Sequence, residues 1–163
     1  MMYLDHAATT PMRPGVWEAM EPFAHDAFAN SSGSHSEARR AKTALEEARE
    51  RVAELIGAGP LEIVFTGGGT EADNLAVAGA ALAGGSRGGV VTSAIEHEAI
   101  LESAKFVSRL GCPVEVVGVD SLGLIDPDAI GAAVDERTAV VSVMLANNET
   151  GVREPVADLA DAA

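Results

Sequence analysis

In the stretch SHSEARRAKTALEEARERVAELIGAG the apolar positions fall at Ala41, Ala44, Leu45, Ala48, Val52, Leu55 and Ile56, with Glu and Arg between them. Spacings of three and four put these side chains on one face of a helix and the charges on the other. Gly57, Gly59 and Pro60 end it, because glycine accepts the left-handed turn that closes a helix and proline cannot prolong one. Beyond Pro60 the rhythm changes. The short runs EIVFT, GVVTSA, VEVVGV and AVVSVML alternate with the Ala-rich segments EADNLAVAGAALAG, HEAILESAKFVSRLG and PDAIGAAV. The short runs lack polar alternation, so they read as strands buried on both faces, and the segments between them supply the crossovers of a parallel sheet. Asp126 before Pro127 reads as an N-cap with proline at the first helical position. The pattern predicts an α/β fold of three layers, α/β/α, around a mostly parallel sheet. The last apolar segment, PVADLADAA, has the composition of a helix that has barely begun, and no strand follows it. One sheet edge and one helix-facing surface are therefore expected to stay uncovered.

In an open parallel sheet, ligands bind beyond the carboxyl ends of the strands, where loops and helix N-termini converge. Three of the expected strands end in polar clusters: Gly67, Gly68, Gly69 and Thr70 after EIVF; Glu96 and His97 after VVTSA; Asn147, Asn148 and Glu149 after AVVSVML. Glycines before a helix let the backbone approach an anion, and the new helix offers unpaired N–H groups and a positive dipole end. A dinucleotide fingerprint would need glycine where Ala72 stands, and no G-K-[ST] follows. Phosphate is the anion this turn suits, although taken alone such a run is more often a plain tight turn. His97 reads equally as a surface histidine at a helix start, yet its ring can stack on a flat heteroaromatic and exchange protons near neutral pH. A loop Asn pair often only makes a turn, yet a carboxamide that donates and accepts also suits a phenolic oxygen beside a carboxylate.

Composition narrows the classes. Of 163 residues, 47% are hydrophobic and 22% charged, which is a globular rather than a disordered balance. The net charge of −14 leaves no basic stripe for nucleic acid. A single cysteine, Cys112, forms no intrachain disulfide, and sitting just before a strand it reads as a packed thiol without chemistry. His6, His25 and His35 are scattered and no H-E-x-x-H occurs, so no metal site is expected. The start, MMYLDHAATTP, lacks the features of a signal peptide, no run has the length of a membrane span, and a cytoplasmic location is expected. Lys42 and Lys105, the only lysines, fall on amphipathic helices and read as solvated.

Five motifs occur in one order and spacing: YLDHAATTP (3–11), NSSGSH (30–35), EIVFTGGGTEADN (62–74), IEHEAIL (95–101) and NNETG (147–151). Together they resemble the N-terminal half of the cysteine desulfurases, pyridoxal-phosphate enzymes of the class V aminotransferase group. The resemblance runs from residue 3 to the end. It implies the large domain of a type I pyridoxal-phosphate transferase over residues 1–163, with 1–34 as N-terminal arm and entrance loop. It also implies that Gly69 and Thr70 bind the phosphate of pyridoxal 5′-phosphate, that His97 stacks on the pyridine ring and assists proton transfer, and that Asn148 contacts the ring hydroxyl and the substrate carboxylate. The activity implied takes sulfur from L-cysteine, leaving L-alanine and an enzyme persulfide that feeds an acceptor such as an iron–sulfur scaffold protein. The family is homodimeric, and neither nucleic acid nor membrane is an implied partner.

The chain departs from the family in two small ways and one large one. Asn30, Ser31, Ser32 and Gly33 stand where Asn-Pro-Ser-Ser is common, and Ala38 where glycine is common. The lysine that bonds the cofactor, the aspartate at the pyridine nitrogen, the arginine for the substrate carboxylate and the sulfur-carrying cysteine belong to the family's second half. The 163 residues by themselves are expected to be inactive. A selenocysteine lyase, another class V enzyme and a non-catalytic scaffold fragment are the alternative readings.

Overall fold

A computed structural model describes residues 2–85 and 88–163, as two compact units, Met1–Phe65 and Thr66–Ala163. The first unit contains α1 (Val16–His25), α2 (Ser36–Ile56) and a 3₁₀ turn at Pro60–Glu62. The second contains α3 (Gly69–Ala83), β1 (Gly89–Ser93), α4 (Glu98–Arg109), β2 (Val114–Val117), α5 (Pro127–Ala133), β3 (Thr138–Ser142) and α6 (Val156–Ala162). Among the described residues no helix is long and apolar enough to cross a membrane.

Helix α2 follows its spacing from end to end. The His35 Nδ1 accepts the Ala38 N–H at its start, and Gly57 closes it at φ 71°, with the Ala58 N–H donating to the Ala53 oxygen at 2.9 Å. That is the left-handed exit expected of glycine. Its apolar face, however, is largely open: Ala38 and Ala53 are buried, whereas Leu55 and Ile56 are exposed. Helix α1 lies in the stretch expected to be arm and loop.

Strands β2, β1 and β3 pair in that order, all parallel, with Val90 opposite Val114 on one side and Val140 on the other. The register slips between Gly89 and Val90. There a Cβ on Gly89 would stand 2.9 Å from the Arg137 oxygen, so only glycine fits the irregularity. Only the central strand is buried along its whole length. Successive residues of a strand point to opposite faces, and here they build two cores. Val90 joins Val77 and Ala81 of α3 and Ile100, Ala104 and Val107 of α4, with Cys112 packed alongside. Val91 joins Val117, Ile125, Ile130 of α5 and Leu159 of α6. Helices therefore cover both faces, as a three-layer fold requires.

The expected fourth strand, EIVFT, is absent. Residues 63–66 are irregular, and Val64 and Phe65 are exposed. A strand needs a neighbour to take its N–H and C=O groups, and among the described residues none pairs with it. Arg49 satisfies part of the need, donating to the Ile63 oxygen and lying 5.1 Å over the Phe65 ring.

The Asp126 side chain accepts the Asp128 N–H at 3.0 Å, and Pro127 opens α5 as its sequence requires. Because Ile130 is fully buried between β2 and α6 partners, Ile130→Ala should lower unfolding stability by about 2–5 kcal/mol. Leu122→Ala, at a side chain 71% exposed, should change it by less than about 0.5 kcal/mol. Urea unfolding of the two variants checks the contrast.

Candidate functional site

Parallel pairing brings the carboxyl ends of β1 and β3 to one edge of the sheet. A cleft of about 430 Å³ opens there, lined by residues 94–98 and 147–150. Two segments about fifty positions apart in the chain thus form one wall each.

The first segment turns out of β1 into α4. Its turn is built on Glu96, a buried carboxylate whose Oε1 accepts the Ser93 hydroxyl at 2.8 Å and the Met144 N–H at 2.6 Å. Desolvation pushes the Glu96 carboxyl above the usual glutamate range, with the Asp73 and Glu154 carboxylates adding to the rise and the two hydrogen bonds opposing it. His97 follows as the N-cap of α4. Its Nδ1 accepts the Ala99 N–H at 3.1 Å, so the neutral ring carries its proton on Nε2. The ring itself is exposed to the cleft.

The second segment is a tight reversal. Asn147 and Val152 are joined by the Asn147 N–H to the Val152 oxygen at 2.8 Å, and Gly151 takes φ 75° so that its N–H returns to the Asn147 oxygen. The Asn147 side chain is fully engaged: Oδ1 accepts the Glu149 and Thr150 N–H groups at 2.9 Å each, and Nδ2 donates to the Ile95 oxygen at 3.1 Å. Asn148, one residue on, is exposed in the cleft, and among the described residues its carboxamide makes no hydrogen bond to the protein. Beneath the loop, the buried Glu154 accepts the Ile125 N–H at 2.9 Å through Oε2, while Oε1 has no partner.

Of the residues singled out by sequence, His97 and Asn148 share this cleft, whereas Gly69 and Thr70 do not line it. They form the first turn of α3, next to Asp73, whose charge reaches Glu96. Gly68 is extended and neither it nor Gly69 is left-handed. What glycine provides there is bare space: a Cβ on Gly68 or Gly69 would meet nothing within 4 Å. Among the described residues no side chain caps α3, and its first intrahelical bond is made by the Ala72 N–H, so the amides of Gly69 and Thr70 precede the ladder. Glu71 reaches back to the Gly67 N–H at 2.6 Å and occupies that donor. Lys42 and Lys105 are exposed on α2 and α4, and Lys105 pairs with Glu102 at 2.5 Å. Among the described residues no group of acidic, histidine and cysteine side chains is arranged to hold a metal.

Residues 2–163 match the model of the aminotransferase class-V family. The chain belongs to that family. It is 46% identical over 159 residues to the cysteine desulfurase IscS of Dictyoglomus turgidum, and 38% identical over 163 residues to that of Methanosarcina thermophila, covering 97% and 99% of this chain and 40% of each relative. Among solved structures, a NifS-like protein superposes with a TM-score of 0.91 at 37% identity, over 98% of this chain and 44% of the other. SspA in complex with cysteine gives 0.88 at 36% identity, over 100% and 47%. The chain thus spans about 40% of the length of the curated relatives it matches. The α/β fold of the class-V family accounts for the parallel sheet and its flanking helices. The roles of Glu96 and Asn147 escape a linear reading. Both stand out in sequence only as members of polar clusters, and nothing local tells the engaged asparagine from the free one.

Because the folded Glu96 carboxyl lies above its unfolded range, the folded state binds the proton more tightly. Its contribution to stability is therefore fully present below the ordinary glutamate range and is lost as pH rises through the raised folded value. Glu96→Gln keeps an acceptor oxygen but not the titration. The stability difference, wild type minus Glu96→Gln, should fall as pH rises across that window in chemical denaturation; a flat difference would mean that burial does not perturb this carboxyl.

Proposed function

We propose that this chain supplies the cofactor-facing half of a pyridoxal-phosphate-dependent cysteine desulfurase, which removes sulfur from L-cysteine and leaves L-alanine and an enzyme persulfide. The observation that carries the reading is the meeting of His97 and Asn148 in one cleft, within a chain whose relatives are named cysteine desulfurases. A cysteine-bound structure among those that superpose on it supports the choice of substrate.

The residues present fit pyridoxal 5′-phosphate on three counts. Uncovered backbone at Gly68 and Gly69 leaves room for a phosphate at the start of α3, and the Gly69 and Thr70 amides with the Thr70 hydroxyl are donors for it. The His97 ring offers a flat face to an aromatic group and a proton at Nε2. The Asn148 carboxamide, unspent on the protein, can donate to a phenolic oxygen and to a substrate carboxylate. Bound pyridoxal phosphate would supply the electron sink for bond breaking at the amino acid. The protein's share is orientation and proton handling. His97 holds a proton at Nε2 for exchange with the cleft, since Nδ1 is committed to the Ala99 amide. In the same reading the enzyme is a cytoplasmic homodimer that passes its sulfur to an acceptor protein such as an iron–sulfur scaffold, and the net charge of −14 argues against a nucleic-acid partner.

The test uses the product of the whole reading frame, supplied with pyridoxal phosphate and L-cysteine, with alanine as the measured product. Alanine should form, and His97→Ala should lower kcat by about 10²–10⁴-fold; no alanine from cysteine in a folded, cofactor-loaded protein would end the proposal. The 163-residue chain alone should give no borohydride-reducible pyridoxal band, because both of its lysines lie outside the cleft lining. A reducible adduct mapped to Lys42 or Lys105 would contradict this.

A further inference from the structure

The two asparagines of NNETG, and the Glu–His pair of IEHEA, divide their work in the same way. In each pair the first residue is spent on the protein and the second faces the cleft. Glu96 ties β1 to the residue that follows β3, through the Met144 N–H at 2.6 Å. Asn147 returns the tie, from its Nδ2 to the Ile95 oxygen at 3.1 Å. The partners are 48 and 52 positions apart, so neither tie is a by-product of local turn formation. Glu96 is additionally held by the fully buried Ser93, and Asn147 by three donors from its own turn. Between them, the ties join the two wall segments beside the points where His97 and Asn148 project.

We infer that Glu96 and Asn147 are positioning residues: a reciprocal cross-brace between the ends of β1 and β3 that sets the separation of His97 and Asn148. The inference rests on the cofactor reading above for its purpose, and on the hydrogen bonds alone for its existence. What the brace needs from Glu96 is an acceptor oxygen at the reach of a glutamate side chain. Charge is not required, because both donors that Oε1 takes are neutral. Glutamine therefore serves in its place, and aspartate, one methylene shorter, does not. What the brace needs from Asn147 is the Nδ2 donor. Aspartate there keeps the acceptor for the 149–150 amides and loses the Nδ2 bonds to the Ile95 oxygen and the Met144 sulfur.

Nitrogen-15 relaxation of the labelled 163-residue chain tests this without turnover. In the unaltered chain, residues 145–150 should give order parameters near those of rigid backbone, about 0.85. Glu96→Asp and Asn147→Asp should drop them below about 0.6 and shift the His97 ring and Asn148 side-chain resonances together. Glu96→Gln should retain both, and amides of the β1–β2 pair should be unchanged throughout. In the product of the whole reading frame, pyridoxal phosphate should bind Glu96→Asp at least about tenfold more weakly than Glu96→Gln. A folded Glu96→Asp or Asn147→Asp chain with an ordered loop and unmoved His97 and Asn148 resonances would overturn the brace. If Glu96→Asp does not fold, Asn147→Asp against Glu96→Gln decides the matter. Should cofactor loading of the product of the whole reading frame leave His97 and Asn148 undisturbed, the cofactor reading fails, while the order parameters of the 163-residue chain still judge the brace.

Discussion

Burial of one strand on both of its faces is the constraint from which the second unit follows. With Val90 turned to α3 and α4 and Val91 to α5 and α6, β1 presents no surface to water, and it shares its backbone groups with a parallel neighbour on each side. Parallel neighbours require crossovers, which α4 and α5 supply, while α3 and α6 complete the two cores. They also require that all strand ends with the same sense lie on one edge. The polar clusters at the ends of β1 and β3 meet for that reason, without any mutual affinity of their own.

Hydrogen bonding does at the edge what burial does in the middle. A carboxylate in a place as dry as that of Glu96, near two other carboxylates, raises the cost of its own ionisation, and each donor it satisfies would otherwise be an unpaired group in a buried turn. The two effects oppose one another in energy but arise from one geometry, since the loop after β3, sitting against the tip of β1, both dries the carboxylate and brings it the Met144 donor. The function proposed for this cleft, holding a flat ring between an imidazole and a carboxamide, gains from walls fixed to one another. The partnerless Oε1 of Glu154 beneath the same loop is a second buried carboxylate oxygen in this region, and its cost is tolerated there as well.

The chain belongs to the aminotransferase class-V family and spans about 40% of the length of the curated relatives it matches. Among the described residues, the open apolar face of α2, the exposed EIVF segment and the unpaired outer edges of β2 and β3 are surfaces of the kind that favour association. An apolar run that reads as a buried strand has no pairing neighbour among the described residues and lies as irregular backbone beside Arg49.

What the sequence determined by itself is whatever neighbouring residues decide among themselves. The extent of α2 between His35 and Gly57, the Asp126–Pro127 start of α5, the change of rhythm after Pro60, and the polar clusters that follow β1 and β3 all rest on interactions within a few positions of the chain. The family motifs are of this kind too, being short and local. Tertiary structure alone decided that EIVF has no partner, that Asn147 is consumed while Asn148 stays free, that a buried glutamate braces the loop, and that Gly69 and Thr70 stand beside rather than inside the cleft of His97. Each of these depends on groups about fifty residues apart or on a neighbour's absence, and a hydrogen bond leaves no periodicity in the sequence when its partners lie on different strands.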